Sequence, residues 1–331
     1  MAARTRLAIW LLAAATLVRG QTAEPLRLEK TVELPEVQGR IDHMSLDVPG
    51  GRLFVAALGN NTVEVIDLKA GKRMQTISGL LEPQGVLYVP TNGQLYVASS
   101  KDGTVKIFDG TSFQLLKTME YGDDADNLRY DSAHERVYVG YGSGGLGELN
   151  LEGQKLKEIP LGSHPESFQL ETGSSRIYVN LPKARKIGLV DRDTHSLTRL
   201  WSMGLSLSNY AMALDEADHR LFVVTRFPAR LHVIDTGSGK SVLMLPVVGD
   251  CDDVFYDSVR KRIYAIGGEG AISVFGQEEA NRYREMVRMP TVKGARTGFF
   301  SPDLERLYVA VRRQGSTPAM IRIFDVRERK E

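Results

Sequence analysis

The stretch RLFVAA at residues 52–57 decides the fold, because close copies of it recur along the chain. Each copy starts with arginine or glutamine and continues as a short, mostly apolar strand. The copies are RLFVAA (52–57), QLYVAS (94–99), RVYVGY (136–141), RIYVNL (176–181), RLFVVT (220–225), RIYAIG (262–267) and RLYVAV (306–311). Their starting residues lie 40 to 44 residues apart, which indicates a repeated structural unit.

Each unit is predicted to contain four strands, of which the quoted copy is the second. Turn formers such as Pro49-Gly50-Gly51 precede the copy and connect it to a first strand in a β-hairpin. A third strand follows, as in TVEVIDL (62–68), and a fourth follows another turn, as in RMQTIS (73–78). The pattern shows no amphipathic helix. Seven WD40-like units of four strands predict an all-β fold, a seven-bladed β-propeller.

The two ends of the pattern predict a closed ring. The seventh unit has only three strands, and an alternating segment, LRLEKTVELP (26–35), stands before the first unit. This segment can supply the missing outer strand of the last blade, which would remove two open sheet edges. An open array of β units and a pair of sandwiches are the alternatives. We predict one propeller domain over residues 21–331, with blades at about 39–79, 80–121, 122–161, 162–203, 204–247, 248–290, and 291–331 plus 26–35.

The first twenty residues have the pattern of an export signal. Arg4 and Arg6 precede a run of twelve mostly apolar residues, 7–18, which is short for a membrane span. Small residues at Val18 and Gly20 predict cleavage after Gly20, so residues 1–20 are interpreted as a signal peptide. The alternative is an uncleaved membrane anchor. No later stretch is apolar enough to cross a membrane, and we expect a periplasmic or secreted protein.

Charge and cysteine content limit the classes of function. Loss of Arg4, Arg6 and Arg19 with the signal peptide would reduce the 42 basic residues to 39, against 41 acidic ones. Because a nucleic-acid binder usually carries a clear basic excess, this balance argues against nucleic acid as a partner. Cys251 is the only cysteine, so an exported form cannot use an internal disulfide. We expect a monomer.

The seven units differ most where the chain enters each first strand. In a propeller these entry loops converge at one mouth of the central channel, and the position ten residues before each copy is polar or amphipathic in every unit. We call it the ring position, and in units 1 to 7 it is occupied by Asp42, Gln84, Asp126, Glu166, Tyr210, Asp252 and Arg296. Together with the neighbouring Arg40, His43 and Asn127 they form the predicted ligand-binding set.

The predicted ring has an unbalanced arc in blades 3 and 4. Arg296 can neutralise the adjacent carboxylates of blades 6 and 1. In blades 3 and 4, by contrast, the ring position and its near neighbours provide no cation for Asp124, Asp126, Glu166 and His164. Crowded carboxylates raise each other's pKa, and a bound cation relieves this. These four residues are therefore candidate metal ligands, for Ca²⁺, Mg²⁺ or Mn²⁺. A solvated channel mouth with local salt bridges is the alternative.

The repeats resemble the YncE-like, YVTN-repeat family of bacterial exported seven-bladed propellers. The resemblance rests on the LYVA, VYVG and IYVN second strands, on third strands of the type TVEVIDL, and on Pro83-Gln84-Gly85-Val86 before a first strand. It covers residues 26–331. It implies the propeller fold, but the wider group includes ligand binders, DNA binders, lactonase-like enzymes and partners of redox systems, so no single activity follows.

Three functions remain open from the sequence. The first is a binding module that takes a small polar or cationic ligand, or a metal, at the axial mouth. The second is a metal-assisted hydrolase or lyase at the same site, lactonase-like, with His43 or His164 as the acid or base. The third is a scaffold for a partner protein.

Overall fold

Seven antiparallel sheets of four strands each make up the part of the chain that the structure describes. This computed structural model describes residues 24–142 and 144–327, and the predicted signal peptide lies outside them. Neighbouring sheets contact one another through their first strands, and the last sheet contacts the first. The predicted all-β, seven-bladed propeller is therefore confirmed.

The described residues contain 28 strands and two short 3-10 helices. Each of the first six blades takes four consecutive strands, numbered from the channel outward, and two helical turns follow second strands, at Leu58–Asn60 and Pro182–Ala184. The strands are β1 Arg27–Leu34; in blade 1, β2 Met44–Asp47, β3 Arg52–Ala57, β4 Thr62–Asp67 and β5 Lys72–Ile77; in blade 2, β6 Pro83–Val89, β7 Gln94–Ser99, β8 Thr104–Asp109 and β9 Leu115–Glu120; in blade 3, β10 Leu128–Asp131, β11 Arg136–Tyr141, β12 Gly145–Asn150 and β13 Lys155–Pro160; in blade 4, β14 Phe168–Leu170, β15 Arg176–Leu181, β16 Lys186–Asp191 and β17 Ser196–Ser202; in blade 5, β18 Leu207–Asp215, β19 Arg220–Phe227, β20 Ala229–Asp235 and β21 Ser241–Pro246; in blade 6, β22 Cys251–Asp257, β23 Arg262–Gly267, β24 Ala271–Glu279 and β25 Arg282–Pro290; and in blade 7, β26 Gly298–Ser301, β27 Arg306–Val311 and β28 Ala319–Asp325.

One aromatic residue in each second strand joins its blade to the next. The third letter of every quoted copy is Phe or Tyr, and all seven side chains are buried. Phe54 packs with Val86 of blade 2, and Tyr308 of blade 7 packs with Met44 of blade 1. Burial of such a ring contributes about 2–3 kcal/mol. The repeated aromatic therefore supplies the apolar contact that holds neighbouring blades together around the ring.

The first strand of the chain closes the ring. β1 pairs antiparallel with β28, from Arg27 opposite Asp325 to Leu34 opposite Ala319, with a register shift after Leu28. The seventh sheet has the order β1, β28, β27, β26, so the N-terminal strand is its outer strand. This confirms the closure predicted for residues 26–35. Within residues 24–142 and 144–327, no helix is long and apolar enough to cross a membrane.

Candidate functional site

The seven first strands surround a central channel that contains two cavities. The cavity at the end where the chain enters these strands, here called the upper cavity, has a volume of about 200 Å³. A lower cavity of about 260 Å³ follows farther along the first strands, and His43 and Asn127 line both. All ten residues predicted from the ring columns line the upper cavity: Arg40, Asp42, His43, Gln84, Asp126, Asn127, Glu166, Tyr210, Asp252 and Arg296.

Backbone hydrogen bonds fix the direction of these side chains. The amides of Asp42, Asp126 and Glu166 donate to carbonyls at the ends of the adjacent second strands, at 2.7, 2.9 and 3.0 Å. These bonds extend each hairpin to the mouth. Two residues before the ring position, the backbone is left-handed in five blades, a conformation that non-glycine residues rarely adopt. Those residues are Glu82, Asp124, Ser208, Asp250 and Gly294.

Half of the upper cavity is neutralised by ion pairs. Arg296 contacts Asp252 at 2.8 Å and Asp250 at 3.0 Å, so blades 6 and 7 compensate each other as the columns predicted. The expected link from Arg296 to Asp42 is replaced by a shorter one, because Arg40 contacts Asp42 at 2.5 Å within the same loop. Burial nevertheless raises the pKa of Asp252 to about 6, since its two arginine partners only partly offset the loss of water.

Arg226 is a residue of this site that the sequence analysis missed. Its guanidinium lies 4.3 Å from the ring centre of Tyr210, 3.4 Å from Asp250, and in contact with Asp252. It comes from β19, which runs two residues beyond the six-letter copy RLFVVT. An arginine directly follows this copy and the seventh one, as Arg226 and Arg312, whereas the other five copies are not followed by one; this was the available signal.

His43 forms the neck between the two cavities. Its Nδ1 lies 3.6 Å from Asp253, and its Nε2 lies 3.7 Å from Asp42, 4.0 Å from Asp126 and 3.3 Å from the Asn127 amide. Burial alone would lower the pKa of His43, but the three carboxylates raise it to about 10. An imidazolium with that pKa holds its proton at neutral pH, which does not suit the general-base role considered from the sequence.

His164, the other predicted acid–base candidate, is buried in the same cavity. Its Nδ1 donates to the Gly142 carbonyl, which leaves Nε2 facing Asp124 at 3.6 Å and Glu166 at 3.9 Å. The donation requires a hydrogen on Nδ1 and directs Nε2 toward the two carboxylates. His164 is thus fixed by the loop of blade 3 against the carboxylates of blades 3 and 4.

The carboxylates of blades 3 and 4 lack a lysine or arginine partner. Among the described residues, no lysine or arginine nitrogen lies within ion-pair distance of Asp124, Asp126 or Glu166. Burial, and then the charges of Asp126, Asp252 and Asp42, raise the pKa of Glu166 to about 9. Burial also raises the pKa of Asp126 to about 6, although His43 partly offsets it. This half of the cavity is short of positive charge.

The four candidate metal ligands share this half of the cavity. Asp124, Asp126, His164 and Glu166 all line it. However, no three His, Cys, Asp or Glu side chains of residues 24–142 and 144–327 are arranged to hold a metal ion. The donors therefore do not fit a preformed metal cage in this geometry, and the divalent cation stays a prediction.

Comparison with known proteins supports the fold more than any activity. No protein-family model matches this chain. The chain is 26% identical over 153 residues to the human U3 small nucleolar RNA-associated protein 15 homolog, covering 44% of this chain and 29% of that protein. It is 25% identical over 116 residues to eukaryotic translation initiation factor 3 subunit I of Drosophila grimshawi, covering 34% and 35%. The third relative, the uncharacterized protein YncE of Salmonella typhi, is 27% identical over 97 residues, covering 29% and 27%.

Each curated relative is thus matched over about a third of its length or less. Among solved structures, a chain in the crystal structure of the Mitotic Checkpoint Complex superposes with a TM-score of 0.77. The match covers 98% of this chain and 99% of that one at 13% identity. At that identity the likeness shows the propeller fold alone.

Proposed function

We propose that the upper cavity binds a small organic cation, such as an ammonium or guanidinium group. The observation that carries the proposal is the group of carboxylates of Asp124, Asp126 and Glu166, which has no lysine or arginine partner. Asp126 is buried, Glu166 is partly buried, and Asp124 lies at the rim. Carboxylates that are buried without full compensation of their charge are costly, so they protonate, bind a cation, or do both in competition. A cationic ligand would supply the missing charge.

The geometry supports a defined binding mode. An ammonium group between blades 3 and 4 could donate hydrogen bonds to Asp126 and Glu166, and charge-assisted bonds of this kind are among the stronger ones in proteins. Gln84 already bonds Asp124 at 3.3 Å, which holds that carboxylate at the rim. The ion pairs of Arg296 and Arg40 occupy the opposite wall. The ligand is therefore confined to the unpaired half.

Calorimetric titration tests this proposal. Methylammonium, guanidinium and tetramethylammonium, together with Ca²⁺, Mg²⁺ and Mn²⁺, would be titrated into the wild type, Glu166→Gln and Asp126→Asn. We expect one organic cation to bind and its affinity to fall about tenfold or more in each variant, because Asp126→Asn removes a carboxylate acceptor and Glu166→Gln removes one that can give up its proton to pair with the ligand. Glu158→Gln, on the exposed outer strand of blade 3, is the control.

Two outcomes would contradict the proposal. If no organic cation binds, or if binding is unchanged in both variants, the carboxylates are only a solvated mouth. If a divalent cation binds at one equivalent while the organic cations do not, the site is the metal site predicted from the sequence.

Export remains a separate prediction, and the intact mass of the secreted product, starting at Gln21, tests it.

A second candidate function is docking of a partner protein on the rim of the same mouth. One observation favours it: Leu205, Phe227 and Leu207 are exposed by 90%, 64% and 41%, and Leu207 lies opposite Phe227 in blade 5. Clustered exposed apolar side chains often mark protein contacts. A displayed peptide library should yield sequences that combine an apolar residue with a basic one, and Leu205→Ser with Phe227→Ser should abolish their binding.

A further inference from the structure

The lower cavity is a second candidate site in the same channel, and its chemistry is different. Successive inward-facing positions of a strand lie two residues apart. His43 directly follows a ring position, so the residue three after each ring position contributes to a deeper layer of the channel. The side chains of this layer that line the cavity are Ser45, Leu87, Arg129, Gln169, Phe255 and Phe299. One of them is charged, and it is a cation.

Arg129 enters this cavity without a carboxylate partner. No ion pair involves its guanidinium within the described residues. Its one protein hydrogen bond runs from Nη1 to the Leu128 carbonyl at 2.8 Å, and its guanidinium carbon lies 5.4 Å from the ring centre of Phe168. Because an arginine has five N–H donors, most of them have no protein acceptor. They are available to an anion.

The other charged groups at the cavity do not compensate Arg129. Asp253 also lines the cavity, but its carboxylate lies 3.6 Å from His43 and accepts the Gly298 amide at 2.8 Å. With His43 charged, the cavity is lined by two cations and one anion. Burial lowers the pKa of Arg129, against the more distant attraction of Asp253 and Asp126. The lower cavity is therefore short of negative charge.

The walls around Arg129 indicate what kind of anion fits. Leu87, Phe255 and Phe299 line the cavity and are partly exposed, so water and small solutes reach them. Gln169 is already occupied, because its amide donates to the Met212 carbonyl at 2.8 Å. A ligand here meets a forked cation on one side and apolar surface on the other. Arginine holds a carboxylate through two parallel hydrogen bonds.

We propose that the lower cavity binds a small monocarboxylate with an apolar body. The carboxylate would pair with Arg129, and the apolar body would pack against Leu87, Phe255 and Phe299. This inference is independent of the proposed function, because it concerns a different cavity, a ligand of opposite charge and different residues. Either proposal can fail while the other holds.

The experiment measures binding of four monocarboxylates, namely acetate, butyrate, hexanoate and benzoate, to the folded protein by calorimetry and thermal shift. Hexanamide and benzamide keep the apolar bodies without the charge, and inorganic phosphate reports a site that needs only an anion. The variants are Arg129→Met, which keeps the length without the charge, and Arg129→Lys, which keeps the charge. Arg199→Met, an exposed arginine on the outer strand β17, is the matched control.

We expect hexanoate or benzoate to bind more tightly than acetate and at least about tenfold more tightly than its amide. Arg129→Met should lose this binding, Arg129→Lys should retain part of it, and Arg199→Met should leave it unchanged. The proposal is overturned if none of the four carboxylates binds. It is also overturned if Arg129→Met binds them as the wild type does, or if phosphate binds as well as the apolar carboxylates.

Discussion

The upper and lower cavities are built by the same seven strands, yet they carry opposite unmet charges. In the upper cavity, carboxylates outnumber the arginines that pair with them, and Glu166 is left without one. In the lower cavity, Arg129 has no carboxylate partner. His43 lies between them and contacts acids on both sides. The comparison shows that the propeller fixes where the inward-facing side chains lie, and that the residue types at a few of these positions decide the charge of each cavity.

Replacing the neck residue should give the largest effect. We expect His43→Gln to lower the free energy of unfolding by about 3–5 kcal/mol at pH 6, because Asp42, Asp126 and Asp253 would lose their shared cation. The folded-state pKa of about 10 lies above the unfolded value of 6.5, so this contribution is full below pH 6.5 and is lost as the pH rises through 10.

Urea unfolding at pH 6 and above pH 10 measures this difference. His134→Gln is the control, because His134 is exposed and pairs with Asp131 in a surface hairpin. A variant as stable as the wild type at pH 6 would show that His43 is not the common partner of the two cavities.

Removing the unpaired acid should have the opposite sign. Because the folded-state pKa of Glu166 is about 9 against an ordinary 4.5, the folded protein holds a proton that the unfolded chain releases. Wild-type stability therefore falls as the pH rises from about 4.5 to about 9. We expect Glu166→Gln to be about 2 kcal/mol more stable than the wild type at pH 9, and equal to it at pH 4. Unfolding curves that coincide at both pH values would contradict this.

Arg296 in the upper cavity and Arg129 in the lower cavity offer a matched pair of substitutions. Arg296→Met removes a cation that contacts Asp250 and Asp252, although Arg226 remains beside them. We expect a loss of about 1–2 kcal/mol and a several-fold tighter binding of the organic cation, because negative charge is added to the upper cavity. Denaturant unfolding and calorimetry measure both quantities. Unchanged stability would mean that these ion pairs contribute nothing.

Arg129→Met should have the smallest effect on stability. The same change here removes a partly buried cation that has no carboxylate partner, so we expect the variant to be equal to the wild type or up to about 1 kcal/mol more stable. The measurement is the same unfolding series, run beside Arg296→Met. A loss as large as that of Arg296→Met would remove the distinction between the two cavities.

The fold could be predicted because its determinants are repeated in the sequence. Each copy carries its aromatic at the same letter, and five of the seven third strands end in an aspartate. Asp67, for example, caps its own turn by accepting the Ala70 amide at 2.8 Å. The ring columns were equally accessible, because hairpin register places residues such as Asp126 and Glu166 at one height in every blade.

The remaining features depend on neighbours from other blades. Arg226 enters the upper cavity only because β19 runs two residues beyond the other second strands, and the shared pattern does not show this extension. The charge of His43 depends on Asp253, which lies 210 positions along the chain. The position of Arg129 in the lower cavity could have been predicted from the sequence, because the residue three after each ring position belongs to the deeper layer of the channel. Its lack of a partner could be seen only when all seven blades were assembled.

The closure of the ring has a mechanical consequence. β1 and β28 run antiparallel with Arg27 opposite Asp325, so these two ends of the pair lie side by side. A force that pulls Arg27 and Asp325 apart acts across the strands and breaks their hydrogen bonds one after another, rather than loading them all together. We expect this sheet to yield first and at low tension in an optical trap tethered near these residues. Simultaneous rupture of the whole molecule would show that the ring carries the load as one body.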